Sequence, residues 1–334
     1  MSAAPFPWFG GKRRVAAQVW DRFGDVPNYV EPFAGSIATL LERPHEPRTE
    51  TVNDLDCYLA NFWRALQVDP DGVAHYADWP VNEADLHARH RWLLDQADFR
   101  SLMRTDPDYF DAKVAGWWVW GICCWIGSGW CYERFYAGDA WQQRPHLGSN
   151  GMGIHRPSQK LPHLGDNGRG IHRPSQKLPH LGDNGRESDL FPYLRVLSER
   201  LRRVRVCCGE WDRVLGPTPT EKLGTTGVFL DPPYGHDERK SDLYAVERDI
   251  AADVREWAIE NGDNPGLRIA LCGYAGEHQM PDSWEALAWK AHGGYGGQGE
   301  GRGRDNAERE MVWFSPHCLR PTRLRQMPLV EAAL

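Results

Sequence analysis

Short apolar runs, separated by polar turns and amphipathic stretches, occupy both ends of the chain. We predict strands where these runs lie, at 29–31, 49–53, 204–208, 227–230, 267–272 and 311–314. Helical spacing predicts helices over 37–42, 59–66, 83–97 and 190–203. Strands that alternate with helices predict an α/β fold with a mostly parallel sheet and crossover helices. The turn 32–35 lies between the first strand and the first of these helices, and we predict that Ser36 caps that helix.

The middle of the chain has a different character. A 17-residue unit, GIHRPSQKLPHLGDNGR, occupies 153–169 and recurs identically at 170–186. The unit is too short and too rich in Pro and Gly for a solenoid repeat, so its composition predicts loops or β-turns. The predicted strands lie on either side of a separate region of about residues 100–187.

Charge is distributed unevenly along the sequence. The whole chain carries a formal charge of -7, yet residues 144–186 hold seven Arg or Lys against two Asp. A basic, turn-rich insertion on an acidic body is typical of an arm that contacts nucleic-acid phosphates. The alternative is a solvated loop. The candidate DNA contacts are Arg144, Arg156, Lys160, Arg169, Arg173 and Lys177.

Composition excludes several classes of protein. With 334 residues, 41% hydrophobic and 25% charged, the chain is expected to be globular rather than disordered or fibrous. Its eight Cys form no CxxC pattern, which favours free thiols in a reducing compartment and gives no metal site. No signal-peptide pattern is visible, and the apolar run 114–126 is too short to span a bilayer. We therefore expect a cytoplasmic protein with no membrane or metal partner.

Five Trp residues cluster at 117, 118, 120, 125 and 130, interspersed with Val, Ile and Cys. One interpretation is a buried helix that packs on the sheet. The other is a stacking wall, or a wedge that fills the space left by an extruded base.

The tetrapeptide Asp231-Pro232-Pro233-Tyr234 carries the clearest chemical signal, and it follows an apolar run. A carboxylate at the carboxyl end of a parallel strand lies where open α/β sheets bind ligands. The prolines have no N–H, so their carbonyls can only accept hydrogen bonds. Acceptors beside the ring of Tyr234 suit a planar group that carries an amine, such as adenine or cytosine. A proline-rich turn or interaction site is the alternative.

Two further segments add to this signal. Gly35 in Glu31-Pro32-Phe33-Ala34-Gly35 allows a ligand to approach the backbone after the first strand. Asp54 follows the second strand, at the spacing at which an acidic residue accepts the hydroxyls of a ribose. Near the start, Gly10 and Gly11 permit a strained turn, and Lys12 can reach a carboxylate.

The ordered motifs PFxWxGGK, EPFxG, NDxD and DPPY resemble the Dam-like class of DNA N6-adenine methyltransferases. The resemblance extends over about residues 5–315, with motif identity in these four segments. It implies a Rossmann-like, S-adenosylmethionine-dependent methyltransferase fold with helices on both faces of the sheet. It also implies double-stranded DNA as the partner and a monomer or weak dimer as the state of the protein.

The resemblance further implies residue roles. Asp231, Pro232, Pro233 and Tyr234 would be catalytic. The cofactor would be bound by Trp8, Gly10, Gly11, Lys12, Glu31, Phe33, Gly35, Asp54 and Asp231. We predict a cofactor-binding part at 1–99, a target-recognition insertion at 100–187, a catalytic part at 188–320 and a tail at 321–334.

Two departures from the family pattern stand out. Ile37 occupies the position of the family's usual second glycine, and the 17-residue repeats are not part of the common pattern. Three alternatives remain open at this stage. The target could be N4 of cytosine, the substrate could be RNA, or the chain could be a DNA-binding protein with an inactive methyltransferase fold.

Overall fold

The computed structural model describes residues 4–6, 8, 12–126, 130–131, 153–154, 190–233, 247–289 and 310–320. The helices, in chain order, are α1 (Arg13–Phe23), α2 (Ala38–Leu41), α3 (Cys57–Val68), α4 (Pro70–Ala77), α5 (Glu83–Leu94), α6 (Phe99–Thr105), α7 (Ala112–Cys124), α8 (Leu190–Leu201) and α9 (Glu247–Asn261). The strands are β1 (Asn28–Glu31), β2 (Thr49–Asp54), β3 (Trp125–Ile126), β4 (Gly153–Ile154), β5 (Val204–Cys208), β6 (Thr226–Leu230), β7 (Leu267–Tyr274), β8 (Glu285–Ala288) and β9 (Glu310–Phe314).

Seven of these strands form one sheet in the order β5-β2-β1-β6-β7-β9-β8. The first five are parallel, and β9 runs antiparallel between β7 and β8. Strands β3 and β4 form a separate two-stranded antiparallel pair. The expectation of an α/β fold with a mostly parallel sheet is confirmed.

Successive residues of a strand point to opposite faces of the sheet. In β1 and β6 both sets of side chains are buried, so both faces of the sheet are covered there. Val30 and Val228 belong to a core that also contains Val254 of α9. Their chain neighbours Tyr29 and Phe229 belong to the larger core on the other face, together with residues of α1, α3 and α7. A strand buried on both faces tends to be an apolar run, and β6 has this pattern.

The order of the strands creates a switch point. The chain moves outward from β1 to β2 and β5, then returns to place β6 on the other side of β1. The connections that follow β1 and β6 therefore leave the sheet in opposite directions, and a crevice opens between their carboxyl ends.

The predicted helix start at Ser36 is wrong. Helix α2 begins at Ala38, and its N-cap is Ile37, which has φ 47° and ψ 30° and makes no side-chain capping bond. The left-handed conformation costs a residue other than glycine about 1–2 kcal/mol. Burial of the Ile37 side chain, which is 1% exposed, offsets that cost. The backbone thus adopts at Ile37 a conformation that glycine adopts freely.

The tryptophan-rich stretch forms α7 and the residues after it; the prediction of a buried helix is confirmed, but the main contacts of α7 are with other helices and not with the sheet. Trp118 and Trp120 are each 1% exposed, and α7 packs against α3, α4 and α5. Some of the tryptophan rings are in contact with an arginine of the same chain. The Arg89 guanidinium lies 4.4 Å from the ring centre of Trp120 and 4.9 Å from those of Trp79 and Trp117.

We predict that Gly116→Ala destabilises the contact between α4 and α7. An added Cβ would lie 2.4 Å from Cβ of Tyr76 and 2.7 Å from the carbonyl oxygen of Val73. The backbone oxygen cannot rotate away, so we expect a loss of about 1–3 kcal/mol in the free energy of unfolding, measured by urea denaturation. Gly216→Ala is the matched control, because its nearest neighbour lies 4.0 Å away. Equal midpoints for the two variants would contradict this packing.

Candidate active site

Three acidic residues lie at the carboxyl ends of adjacent strands. Glu31 ends β1, Asp54 ends β2, and Asp231 directly follows β6. Because β2, β1 and β6 are neighbours, these residues border the same edge of the sheet, and Glu31 and Asp231 border the switch point itself. This is where open α/β sheets bind their ligands.

A buried ion cluster joins the start of α1 to this edge. Nζ of Lys12 lies 3.0 Å from Oδ1 of Asp231 and 3.6 Å from Oε2 of Glu310, and the Lys12 side chain is 4% exposed. Burial acts to lower the pKa of Lys12, but the carboxylate charges of Asp231 and Glu310 and the hydrogen bond to Asp231 oppose it, and the pKa is raised. Lys12 therefore stays cationic and fixes the position of the Asp231 carboxylate, which remains about one fifth exposed.

Glu31 lies deeper than its place in the motif suggested. Its Oε2 accepts a hydrogen bond of 2.9 Å from the Tyr29 hydroxyl, and the residue is 3% exposed. Burial raises the pKa of Glu31 well above its usual range, and the nearby charge of Asp231 acts in the same direction. Cofactor contact by Glu31 stays a prediction. The hydrogen bond described above joins Glu31 to Tyr29 within β1.

Gly35 allows that turn to pass directly beneath Trp8. Its φ is 47°, and a Cβ on this residue would lie 2.4 Å from Nε1 of Trp8. The backbone N–H of Gly35 donates to Oδ2 of Asp54 at 3.1 Å, and Nε1 of Trp63 donates to its carbonyl at 3.2 Å. A side chain here would displace Trp8 and strain the backbone, so the turn depends on glycine.

The carboxylate of Asp54 is held from both sides. Its Oδ1 accepts from the N–H of Asp56 at 3.0 Å, while Oδ2 accepts from Gly35. Burial raises the pKa of Asp54 to about 6; backbone hydrogen bonds from Asp56 and Gly35 partly counter that effect, and the charge of Asp56 adds to it. Asp56 in turn caps α3, because its side chain accepts from the N–H of Tyr58.

Trp211 is a candidate that the motif search missed. It follows β5, and its ring stacks on Phe33 with centroids 6.2 Å apart and planes inclined by 24°. Strand β5 pairs with β2 so that Cys208 lies opposite Asp54, and the N–H of Gly209 donates to the carbonyl of Asp54. Trp211 thus lies one strand beyond Asp54 on the same edge. The sequence feature that could have identified Trp211 is its position, as an aromatic residue three residues after the predicted strand 204–208.

The half-buried ring of Trp8 is supported by the larger core. It lies 5.7 Å from the ring of Phe6 and 6.4 Å from that of Trp118. The helix α7, which follows the first hundred residues, therefore helps to hold a predicted cofactor contact in place.

The predicted residues divide into two groups. The structure brings Trp8, Lys12, Glu31, Phe33, Gly35, Asp54, Asp231 and Pro232 to one edge of the sheet, with Pro232 buried and Pro233 exposed. The others lie outside the described residues; they are Gly10, Gly11, Tyr234, Arg144, Arg156, Lys160, Arg169, Arg173 and Lys177.

Two classes of site are absent from the described part of the chain. Among those residues, no group of three or more His, Cys, Asp or Glu could hold a metal ion. Within the same ranges, no helix has the length and apolar character that crossing a membrane requires.

The fold is a mostly parallel α/β sheet with an acidic residue at the carboxyl end of β1 and of β2 and directly after β6, which is where open sheets of this kind bind ligands. Residues 8–99 match the family model of the D12 class N6 adenine-specific DNA methyltransferases. Over these residues the chain is similar to that family, whose members are S-adenosylmethionine-dependent DNA methyltransferases. A comparison with curated proteins found no match. The matched segment contains Lys12, Gly35 and Asp54 and ends before Asp231. What connects Asp231 to the matched segment is its ion pair with Lys12.

The observed residues fit the cofactor that the family uses. Asp54 lies beside the buried turn at Gly35, and each of its two carboxylate oxygens accepts one backbone hydrogen bond and keeps a further lone pair that suits a ribose hydroxyl. Phe33 and Trp211 provide flat, half-buried rings that suit an adenine. Trp8, Lys12 and Asp231 border the same crevice, where a charged sulfonium group would find carboxylate charge.

Cofactor affinity should fall as the pH is lowered through about 6. Above that pH Asp54 is ionised and accepts from hydroxyls, whereas its protonated form loses part of that capacity. Between pH 7.5 and pH 5 we expect the Kd for S-adenosylmethionine to rise about tenfold, measured by isothermal titration calorimetry. Asp54→Asn should bind weakly with a flatter profile. A wild-type profile as flat as that of the variant would show that Asp54 is not the titrating group.

Trp211→Ala should weaken cofactor binding about tenfold or more, because it removes the ring that stacks on Phe33. Trp211→Phe retains a flat ring and should restore most of the affinity in the same calorimetric assay. If both variants bind like the wild type, Trp211 lies outside the cofactor site.

Proposed function

We propose that the chain is an active methyltransferase that moves a methyl group from S-adenosylmethionine to N6 of adenine in double-stranded DNA. The observation that carries this proposal is the buried pair between Lys12 and Asp231. It orients an acceptor at the switch point, beside the turn at Gly35 and the carboxylate of Asp54.

The chemistry of the target explains why such an acceptor is needed. The lone pair of an exocyclic amine is delocalised into the base, so the nitrogen is a poor nucleophile. The carboxylate of Asp231 and the carbonyl of Pro232 would accept its two hydrogens and move the nitrogen toward tetrahedral geometry. Lys12 holds Asp231 in place before the base arrives, so little reorganisation is needed at the reaction.

The bound cofactor supplies an electrophilic methyl group, and the protein supplies orientation. Direct transfer to nitrogen needs no covalent enzyme intermediate. We assign Tyr234, on its place in the sequence, the role of stacking on the target base.

The depth of the site supports base flipping. Lys12 is almost fully buried, and Asp231 is only about one fifth exposed. An adenine inside a duplex cannot reach such a carboxylate, so the nucleotide would be extruded at a cost of a few kcal/mol. In this proposal the basic residues of 144–186 offset that cost through phosphate contacts. Such an enzyme would act where its DNA lies, in the cytoplasm of a bacterial cell.

The intact ion pair also bears on the rival function, a DNA-binding protein with an inactive methyltransferase fold. A buried lysine facing carboxylates is costly to retain unless its partners stay in place. An inactive protein would gain nothing from an oriented, partly exposed carboxylate at the switch point. We therefore favour catalysis over binding alone.

Asp231→Ala should abolish methyl transfer while it only weakens cofactor binding. Loss of one preorganised electrostatic group typically lowers turnover about 100-fold or more. Asp231→Asn keeps the shape of the side chain and separates loss of charge from loss of packing. The assay incubates unmethylated DNA of mixed sequence with S-adenosylmethionine carrying a deuterated methyl, followed by nucleoside mass spectrometry.

Labelled N6-methyl-2′-deoxyadenosine from the wild type would support the proposal. Labelled N4-methyl-2′-deoxycytidine would keep the mechanism and replace the target base. Cofactor binding without label on any DNA would favour an RNA substrate, a missing partner or the inactive binding protein, and near-normal turnover in Asp231→Ala would remove Asp231 from the reaction.

A further inference from the structure

Two cysteines lie side by side next to the cofactor edge of the sheet. Sγ of Cys208, the last residue of β5, lies 3.6 Å from Sγ of Cys57, the first residue of α3. Both are free thiols. A disulfide needs a sulfur separation of about 2.05 Å, so a small approach of the two side chains would close the bond.

The surroundings favour a reactive thiolate on Cys57. The Cys208 thiol donates a hydrogen bond to Cys57, which also lies in the first turn of α3, where the helix dipole stabilises negative charge. The hydrogen bond from Cys208 lowers the pKa of Cys57 to about 7 against the opposing effect of burial, and Arg104 and Arg100 act in the same direction as the hydrogen bond. The pKa of Cys208 is raised because its proton is held between the two sulfurs.

The pair can be approached from solvent through Cys208. Cys57 is 4% exposed, whereas Cys208 is partly exposed, as is its neighbour Cys207. In contrast, burial raises the pKa of Cys131 and Cys272, which keeps those thiols protonated and unreactive.

We propose that Cys57 and Cys208 form a reversible disulfide, a redox modification site at the rim of the cofactor site. The oxidant is a small peroxide. The Cys57 thiolate attacks one peroxide oxygen, the O–O bond breaks, and the departing hydroxide takes a proton to leave as water. Cys208 then attacks the sulfenic sulfur and expels the second oxygen as water. Two thiols are oxidised by two electrons, one peroxide is reduced, and a dithiol reductant reverses the change.

The disulfide would act on the cofactor site because of where its two ends lie. Cys57 directly follows Asp56, whose N–H holds the Asp54 carboxylate. Cys208 lies opposite Asp54 in the sheet and is three residues before Trp211. Drawing the sulfurs together pulls the turn at Asp56 toward β5 and disturbs the carboxylate of Asp54. We therefore expect the oxidised protein to bind the cofactor more weakly, a consequence that rests on the proposed function, whereas the disulfide itself does not.

The first experiment asks whether the bond forms. The full-length protein is treated with hydrogen peroxide, remaining thiols are alkylated, and the digest is mapped by mass spectrometry without reduction. We expect a linked peptide pair joining Cys57 to Cys208, a mass loss of about 2 Da for two hydrogens, and reversal by dithiothreitol. The wild-type map suffices for this result, whatever the stability of any variant.

Three variants test the assignment. Cys57→Ser and Cys208→Ser should fail to form the link, while Cys207→Ser, a matched change of the adjacent residue on β5, should form it as the wild type does. Sulfenic or sulfinic acid without a link, or a link through Cys207, would overturn the proposal.

The second experiment measures the Kd for S-adenosylmethionine in the reduced and oxidised wild type. We expect oxidation to raise the Kd about tenfold, with no change after peroxide treatment of Cys208→Ser. A linked protein with an unchanged Kd would overturn the regulatory role and leave the modification site standing. No binding by the reduced wild type would instead contradict the proposed function, while the peptide map still decides the disulfide.

Discussion

The buried charge of Lys12 is the constraint on which the arrangement of the site depends. An ammonium group that is almost removed from water must be matched by carboxylates, and breaking such a pair typically costs about 3–5 kcal/mol. Its partners come from the end of β6 and the start of β9, so the charge balance links the start of α1 to two separate strands. Displacement of the segment after β6 takes the nearer carboxylate, Asp231, away from the cation. The carboxylate at the switch point is therefore held by the stability of the fold, not by the ligand.

Around this cluster, the turns that follow β1 and β2 are constrained in their backbone conformation. Gly35 closes against Trp8, Asp54 receives two backbone N–H groups, and Ile37 accepts a left-handed backbone to start α2. Each of these features restricts the one beside it. Trp118 of α7 packs against Trp8, so the region that follows the first hundred residues helps to hold this proposed cofactor contact in place.

Much of this arrangement could be predicted from the sequence, for reasons that differ between elements. Strand β6 lies inside the sheet and is buried along its whole length, so it appears as an apolar run, whereas the edge strand β5 is only partly buried and carries an exposed Arg205 within its apolar residues. Strand β8 was missed because its residues are largely exposed at the sheet edge and show no alternation. Helix α1 was not predicted, although its buried residues Val15, Val19 and Phe23 have helical spacing. Ser36 was wrongly taken as a cap because a backbone conformation, not a side chain, starts α2. Two contacts could not be predicted, because they join residues from distant parts of the chain that no local pattern connects. They are the ion pair of Lys12 with Glu310 and the stacking of Trp211 on Phe33.

The position of β9 has a consequence for how the molecule is made. This strand enters the sheet between β7 and β8, both of which precede it in the chain, and it brings Glu310 to Lys12. During synthesis, the amino-terminal helix emerges from the ribosome long before its last acidic partner exists. Until β9 inserts, the lysine must stay hydrated or face an incomplete set of charges, so this cluster cannot mature ahead of the rest of the sheet. Assembly of the cluster therefore waits until β9 has been made, and a chain cut before Glu310 would lack one carboxylate partner of Lys12.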